Sequence, residues 1–474
     1  MSTTRTGREA SRKFSTGVTP LDRILGGGIP PYSVVILAGE PGTGKTILSQ
    51  QILFANATPE RKAIYLTTLS EPPMKAARYQ SMFDFFDPSK FGESVVYMDI
   101  GQVIRREGLG KAADTIADML RENQPYVVVI DSFKAIHDLA DNPAEMRTFI
   151  YDLAIELSAM QCTTLLVGEY SESDVARMPE FAVADGIIWL YTQKKSDQQQ
   201  RYIRVLKMRG ADHSGTAYNF DIRRNGINIF AIQWVAPPDI AAVRGDQVKT
   251  GLPELDLLLR GGIPRGSPML LSGEAGSGKS TMSMQYLYRG AADYGDKGIY
   301  FTYEETPAQI EENAASFGCD FRGLEARGML GIHYTPLTLA NPDEELIRMN
   351  DTIVAQEARR AVIDSLTALA QRISDPDEIR RFVYQLTAML KSNSCTALVT
   401  TDPPVGSDRI SRFGVEESII DGVIVLKNVR EKKGRQRYLE VYKLRGVNHA
   451  TGDHLMKITP GGIQLFPRAE EVAD

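Results

Sequence analysis

Two octapeptides carry the clearest chemistry in the chain: Gly39–Thr46 reads GEPGTGKT and Gly273–Ser280 reads GEAGSGKS. Both fit G-x-x-x-x-G-K-[ST], in which glycines let backbone N–H groups converge on phosphate oxygens and a following helix adds its N-terminal dipole. Gly39, Gly42 and Gly44, and likewise Gly273, Gly276 and Gly278, are the glycines of the two loops. Thr43 and Ile47, with Ser277 and Thr281, complete the phosphate-binding positions. Lys45 and Lys279 are placed to neutralise the β- and γ-phosphates, and the hydroxyls of Thr46 and Ser280 to ligate Mg²⁺, a hard cation that prefers oxygen.

Three further groups fit this chemistry. Asp131 closes VVVID and Asp364 closes AVID, the strand-end position from which a carboxylate holds Mg²⁺ directly or through water. An Asp there also caps helices. Hydrolysis needs a base for the attacking water, and Glu304 and Glu305 in TYEETP are adjacent carboxylates after a predicted strand. The matching stretch TTLSEPP sets Ser70 opposite Glu304 and Glu71 opposite Glu305, so one base survives there and the pair does not. The third group is K-x-R-G-x-x-H: Lys207, Met208, Arg209 and His213 match Lys443, Leu444, Arg445 and His449, with Arg201 and Arg437 six positions before each lysine. Alternation along a strand turns the Lys and the Arg to one side, a pair of cations suited to a phosphate cluster. Each loop lies far away in its own repeat's sequence, so the expected target is a neighbouring subunit's nucleotide, which requires a ring.

The elements that must position these groups repeat. TGVTPLD at 16–22 returns as TGLPELD at 250–256, the two loop lysines are 234 positions apart, the two aspartates 233, and RYIRVLKMRG returns as RYLEVYKLRG at an offset of 236. Ordered blocks that drift by so little mark a tandem duplication. Each copy alternates short β-branched runs with longer amphipathic stretches, the pattern of an α/β domain with a mostly parallel sheet flanked by helices. The expected boundaries are a disordered stretch at 1–13, a first domain at 14–235, a linker at 236–248, a second domain at 249–465 and a short tail at 466–474. The 474 residues carry 54 basic and 60 acidic groups, net −6, which argues against a general electrostatic grip on nucleic acid or anionic membrane. No apolar run approaches the roughly 20 residues of a membrane-spanning helix. Three cysteines without CxxC spacing exclude a disulfide scaffold and a Cys-based zinc site. A cytoplasmic protein is expected.

Together, the TG-x-x-x-LD entry, both loops, TYEETP, the IDS strands and both K-x-R-G blocks resemble the KaiC-like ATPases, a branch of the RecA-like P-loop fold. The resemblance spans roughly residues 14 to 460 and is specific to double-domain members. It implies two tandem RecA-like P-loop NTPase domains and two stacked rings of six, with ATP between neighbouring subunits touched from across the interface by Lys207, Arg209 and His213 and by Lys443, Arg445 and His449. It implies Glu304 and Glu305 as the catalytic pair of the second ring, and a KaiB-like partner on the first. Clock members also phosphorylate adjacent Ser and Thr residues before an Asp. Here the segment is GVEESIID (Gly414–Asp421), with Glu417 at the Ser position and Ser418 at the Thr position, so Ser418 is the candidate phosphoacceptor. The first repeat has Ala182 opposite it. Little chain follows HLMKITPGGIQLFP, so a KaiA-type activator is not expected. A RecA-like DNA recombinase or helicase-type motor, and a nucleotide-dependent platform with little turnover, are the competing classes. The basic run REKKGRQR (Arg430–Arg437) reads more simply as a charged hairpin than as a DNA contact.

Overall fold

A strand covered by helices on both faces must be apolar throughout, and this is why the VVILA and PMLLS runs become central strands. The computed structural model describes residues 13–68, 78–140, 142–195, 198–232, 246–404, 406–431 and 434–468. The chain divides into two units, Met1–Ala231 and Ile232–Asp474.

In the first unit the strands are β1 (Val34–Gly39), β2 (Ala63–Thr67), β3 (Val95–Asp99), β4 (Val127–Asp131), β5 (Thr163–Glu169), β6 (Gly186–Lys195), β7 (Gln198–Met208), β8 (Ala217–Arg223) and β9 (Gly226–Ile229). They form one sheet in the order β3-β2-β4-β5-β1-β6-β7-β8-β9. Pairing is parallel from β3 to β6 and antiparallel from β6 to β9. Every residue of β1 is buried. Its alternate side chains serve opposite layers: Val35 and Leu37 join one core cluster and Val34, Ile36 and Ala38 the other.

The second unit opens with a two-stranded ladder, β10 (Gln247–Val248) with β11 (Ile263–Pro264). Gln247 and Val248, placed in a linker from the sequence, thus pair within this unit, whereas 233–245 lie outside the described residues. Then follow β12 (Pro268–Gly273), β13 (Gly298–Thr302), β14 (Leu330–Tyr334), β15 (Arg360–Asp364), β16 (Thr396–Thr401), β17 (Gly422–Glu431), β18 (Gly434–Leu444), β19 (His454–Thr459) and β20 (Gly462–Phe466). Their order, β14-β13-β15-β16-β12-β17-β18-β19-β20, repeats that of the first sheet strand for strand.

Local signals start the crossover helices. Asn142 before Pro143 and Asp375 before Pro376 occupy matched positions, and each side chain accepts from backbone N–H groups of the first turn: Ala144 and Glu145 at 3.0 Å, and Asp377 at 2.9 Å. A polar cap followed by proline satisfies orphan donors where proline has none to lose. Both β-hairpins carry a bulge at the same place, between Ile187 and Ile188 opposite β7 and between Val423 and Ile424 opposite β18. Basic residues Arg430 and Arg435 face each other near the tip of the second hairpin.

Candidate functional site

The parallel strands end on one edge of each sheet, and the loops after them gather the charged groups there. β1 and β12 deliver the two glycine-rich loops, which open the helices Lys45–Asn56 and Lys279–Tyr294. Gly44 and Gly278 make the turn with φ of 99° and 108°, a region in which a side chain is strained. A Cβ on Gly39 would lie 1.8 Å from the Leu190 carbonyl oxygen of the neighbouring strand, so the first loop glycine is required by close backbone approach. Gly42 and Gly276 instead face open space. Lys45 Nζ donates to the Glu40 carbonyl at 2.7 Å, and Lys279 Nζ to the Gly273 carbonyl at 2.7 Å. Thr43 and Ser277 are buried in the loops, Thr43 Oγ1 donating to Glu40 O at 2.8 Å while Ser277 Oγ has no hydrogen-bond partner. Ile47 packs on the core and Thr281 is half-buried in the first helical turn.

Each loop hydroxyl meets a strand-end carboxylate. Thr46 Oγ1 donates to Asp131 Oδ2 at 2.8 Å, and Ser280 Oγ to Asp364 Oδ2 at 3.2 Å. A tyrosine from the adjacent strand joins each pair: Tyr65 OH donates to Asp131 Oδ2 at 2.6 Å and Tyr300 OH to Asp364 Oδ2 at 2.6 Å. Burial, then the neighbouring carboxylate, pushes both phenols well above their ordinary pKa, so they stay O–H donors. Burial also raises Asp131, against the hydrogen bonds from Tyr65 and Thr46. The helix-capping role open to Asp364 falls to Ser365, whose Oγ accepts from Ala368 N at 3.1 Å. A hydroxyl and a carboxylate oxygen within 3.2 Å fit a Mg²⁺ ion that completes its shell with phosphate and water. Among the described residues no cluster of three or more His, Cys, Asp or Glu side chains forms an all-protein metal cage.

Thr302 stands level with Asp364 across β13 and β15, so Glu304 and Glu305 project past the same edge. Glu305 Oε2 is buried without a partner. Burial first, then Asp364, raises both carboxyl groups above the ordinary value, with Asp402 and the other glutamate adding to Glu304. Ser70 and Glu71 lie outside the described residues.

The K-x-R-G blocks sit at the opposite edge from their own loops. Lys443 pairs with Val423 near the start of β17, while Gly273 at the loop is level with Leu426. Lys443 Nζ donates to the Glu417 and Ile420 carbonyls at 2.7 and 2.8 Å, and Arg445 to the Ser418 carbonyl at 2.6 Å. In the first unit Lys207 Nζ donates to the Ala184 carbonyl at 2.7 Å and Arg209 pairs with Asp185 at 3.3 Å. Both lysines thus hold the end of a short helix, Glu416–Ile419 or Pro179–Val183. Ser418 is exposed on the former, its Oγ donating to Val415 O at 2.7 Å. Ser411 is buried, its Oγ within hydrogen-bond reach of two carboxylates, Glu416 Oε2 at 2.7 Å and that of Glu417, to one of which its single O–H donates. His213 Nε2 is buried without a partner, and His449 Nδ1 lies 2.9 Å from Ala450 O. The side chains of Met208 and Leu444 are in the cores, so only their backbone is available to a ligand.

Arg437 lies beside the loop of its own copy. Its Nε donates to the Gly276 carbonyl of its own loop at 3.2 Å. Sheet order brings it there, because β12 pairs with β17, which folds straight back into β18. Arg437 therefore reaches the near edge and Lys443 the far one.

A family profile for the KaiC ATPase matches residues 14–233 and 248–470. The chain belongs to the KaiC ATPase family. It is 29% identical over 466 residues to the circadian clock oscillator protein KaiC of Parathermosynechococcus lividus, covering 96% of this chain and 85% of that one. It is 28% identical over 467 residues to the protein of the same name from Thermosynechococcus vestitus, covering 96% and 89%. To the circadian clock protein KaiC3 of Synechocystis it is 28% identical over 453 residues, covering 92% and 88%.

Within this KaiC framework the sequence reading passed over several residues that touch the site: Tyr65, Tyr300, Thr400 and the carboxylates Glu169 and Asp402. Thr400 Oγ1 donates to Asp364 Oδ1 at 2.6 Å. A signal was present, because AIYLT and GIYFT set the two tyrosines 235 apart and the acids end VGE and TTD 233 apart.

Proposed function

We propose that this chain is an ATPase with two nucleotide sites per copy, working as a two-tiered hexamer in which each ATP lies between neighbouring subunits. The observation that carries it is the division of each unit's phosphate-binding groups between two edges. The loop and the Asp, joined in the second unit by Glu304 and Glu305, occupy one, and Lys207 with Arg209, or Lys443 with Arg445, the other. Six strand residues separate Arg437 from Lys443, about 20 Å, so a single copy does not close both groups on one nucleotide. A head-to-tail contact between copies would, and such contacts give a ring when the rotation between copies closes.

Within such a site Lys45 or Lys279 would hold the terminal phosphates, and Thr46 with Asp131, or Ser280 with Asp364, would hold Mg²⁺. Mg²⁺ supplies charge neutralisation of the β- and γ-phosphate oxygens. Glu304 and Glu305 would orient the attacking water and accept its proton, a task helped by their raised pKa. Glu71 is proposed for the first unit. Lys443 and Arg445 of a neighbouring copy would offset charge that develops on the transferring group. Sizing of the purified chain with and without Mg-ATP, alongside phosphate release, tests the reading. A species that stays monomeric while turning over ATP rejects the shared site.

The same edge geometry favours Ser418 as a phosphoacceptor. It is exposed beside Lys443 and Arg445, where a neighbour's ATP would lie, and Glu417 offers a permanent negative charge next to it. Phosphopeptide mapping of wild type and Ser418→Ala after incubation with Mg-ATP decides this, and equal incorporation in both rejects the site. The chain's KaiC relatives favour a timing or signalling output, with a KaiB-like protein on the first ring as the expected partner.

A further inference from the structure

The loop lysine of the second unit already has a carboxylate beside it. Lys279 Nζ lies 2.7 Å from Asp402 Oδ1, and the lysine side chain is only 10% exposed. Asp402 is the first residue beyond β16, whose last residue, Thr401, stands level with Ser272 of the loop strand. Its backbone is anchored: Asp402 N donates to Thr367 Oγ1 at 3.0 Å, and Thr367 Oγ1 is 3.0 Å from Thr401 Oγ1, both hydroxyls being buried. The first unit repeats the placement. Glu169 closes β5 level with Gly39. Burial pulls Lys45 below its ordinary pKa, and Glu169 is the foremost of the carboxylates that oppose this. The loop hydroxyls Thr46 and Ser280 are paired with Asp131 and Asp364, so Asp402 and Glu169 are not needed for the metal.

We infer that Asp402 and Glu169 are specificity-determining residues: each competes with a γ-phosphate for the loop lysine and so sets the balance between nucleoside triphosphate and diphosphate. The inference rests on the nucleotide reading above. A triphosphate brings its terminal oxygens to the same ammonium and meets a carboxylate of like charge. It must share the lysine or displace the acid. A diphosphate brings only its β-phosphate to the ammonium, whose three N–H donors can serve that oxygen and the acid together, and it lacks the γ-phosphate charge that opposes the acid. The acid therefore disfavours the triphosphate more than the diphosphate, and it regains the lysine once phosphate departs. The contact is direct in the second unit. In the first, Lys45 donates to the Glu40 carbonyl and Glu169 stands at the neighbouring strand end level with Gly39, so the effect there is weaker.

Titration calorimetry of the full chain tests this with Mg-ADP and with Mg-β,γ-imido-ATP, which is not cleaved. Lys279→Ala identifies which binding phase belongs to the second unit. Asp402→Asn is expected to tighten that phase about fivefold for the imido-triphosphate while changing ADP by less than about twofold. Asp402→Glu, which keeps the charge, should retain the wild-type ratio, and Glu169→Gln should shift only the other phase, by a smaller factor. Parallel changes for both nucleotides, or a weakened triphosphate, overturn the inference while leaving the nucleotide sites standing. A wild-type chain that binds neither nucleotide overturns both.

Discussion

Asp131 in the first unit receives Thr46 and Tyr65 on one oxygen, Oδ2. Asp364 in the second receives Ser280 and Tyr300 on Oδ2 and Thr400 on Oδ1. Val167 stands where Thr400 does, and Phe181 where Glu417 does. The second unit also pairs its loop lysine with Asp402 and carries two glutamates past the same edge. Duplication therefore kept the scaffold, which is fixed by apolar strands, and let the polar groups at its edges diverge. Side chains at strand ends change without disturbing the core, so the two sites are free to differ in rate and in nucleotide preference.

The largest expected effect that sharpens this contrast comes from Glu304→Gln/Glu305→Gln. Measured with Lys45→Ala to silence the first site, phosphate release should fall on the order of 100-fold or more. Undiminished release would assign the water-activating group elsewhere. The next test mixes variants within the proposed ring. Lys279→Ala and Lys443→Ala copies damage opposite edges, so an equal mixture should regain second-site hydrolysis at about a quarter of its interfaces. Lys279→Ala with Arg437→Ala should not recover, because both act on the same edge, and recovery there would contradict the placement of Arg437. A smaller effect is expected from Thr400→Val, which removes the extra bond to Asp364 and should weaken Mg-nucleotide binding at the second site about fivefold. Equal affinity would remove Thr400 from the distinction between units. The smallest concerns pH. Both glutamates are raised above their ordinary value of 4.5, and a base works only when deprotonated. Second-site kcat/KM should therefore fall on acidification with a midpoint above that value; a midpoint at or below it argues against either glutamate as base.

The loops, the Asp131 and Asp364 strand ends and the tandem architecture were legible because each depends on local spacing or on an apolar run. β3, β8 and β9, with their counterparts, were not. They lie towards the sheet edges, where half-buried strands mix polar and apolar residues. Tyr300, Thr400 and Asp402 were hidden for a different reason: they come from β13 and from the end of β16, and only sheet order brings these strands to Ser280 and Lys279. The same order brings Arg437 to the loop of its own copy.

The second hairpin strand, β18, has a mechanical consequence. Arg437 rests on the loop of its own copy, and Lys443, six residues along the same backbone, sits where a neighbour's pocket would close. An extended chain does not stretch, so in the proposed ring this strand would act as a strut of fixed length between consecutive triphosphates. Rearrangement at one pocket would then be passed around a ring as the tilt of a rod, with Tyr442 at the bulge as its pivot.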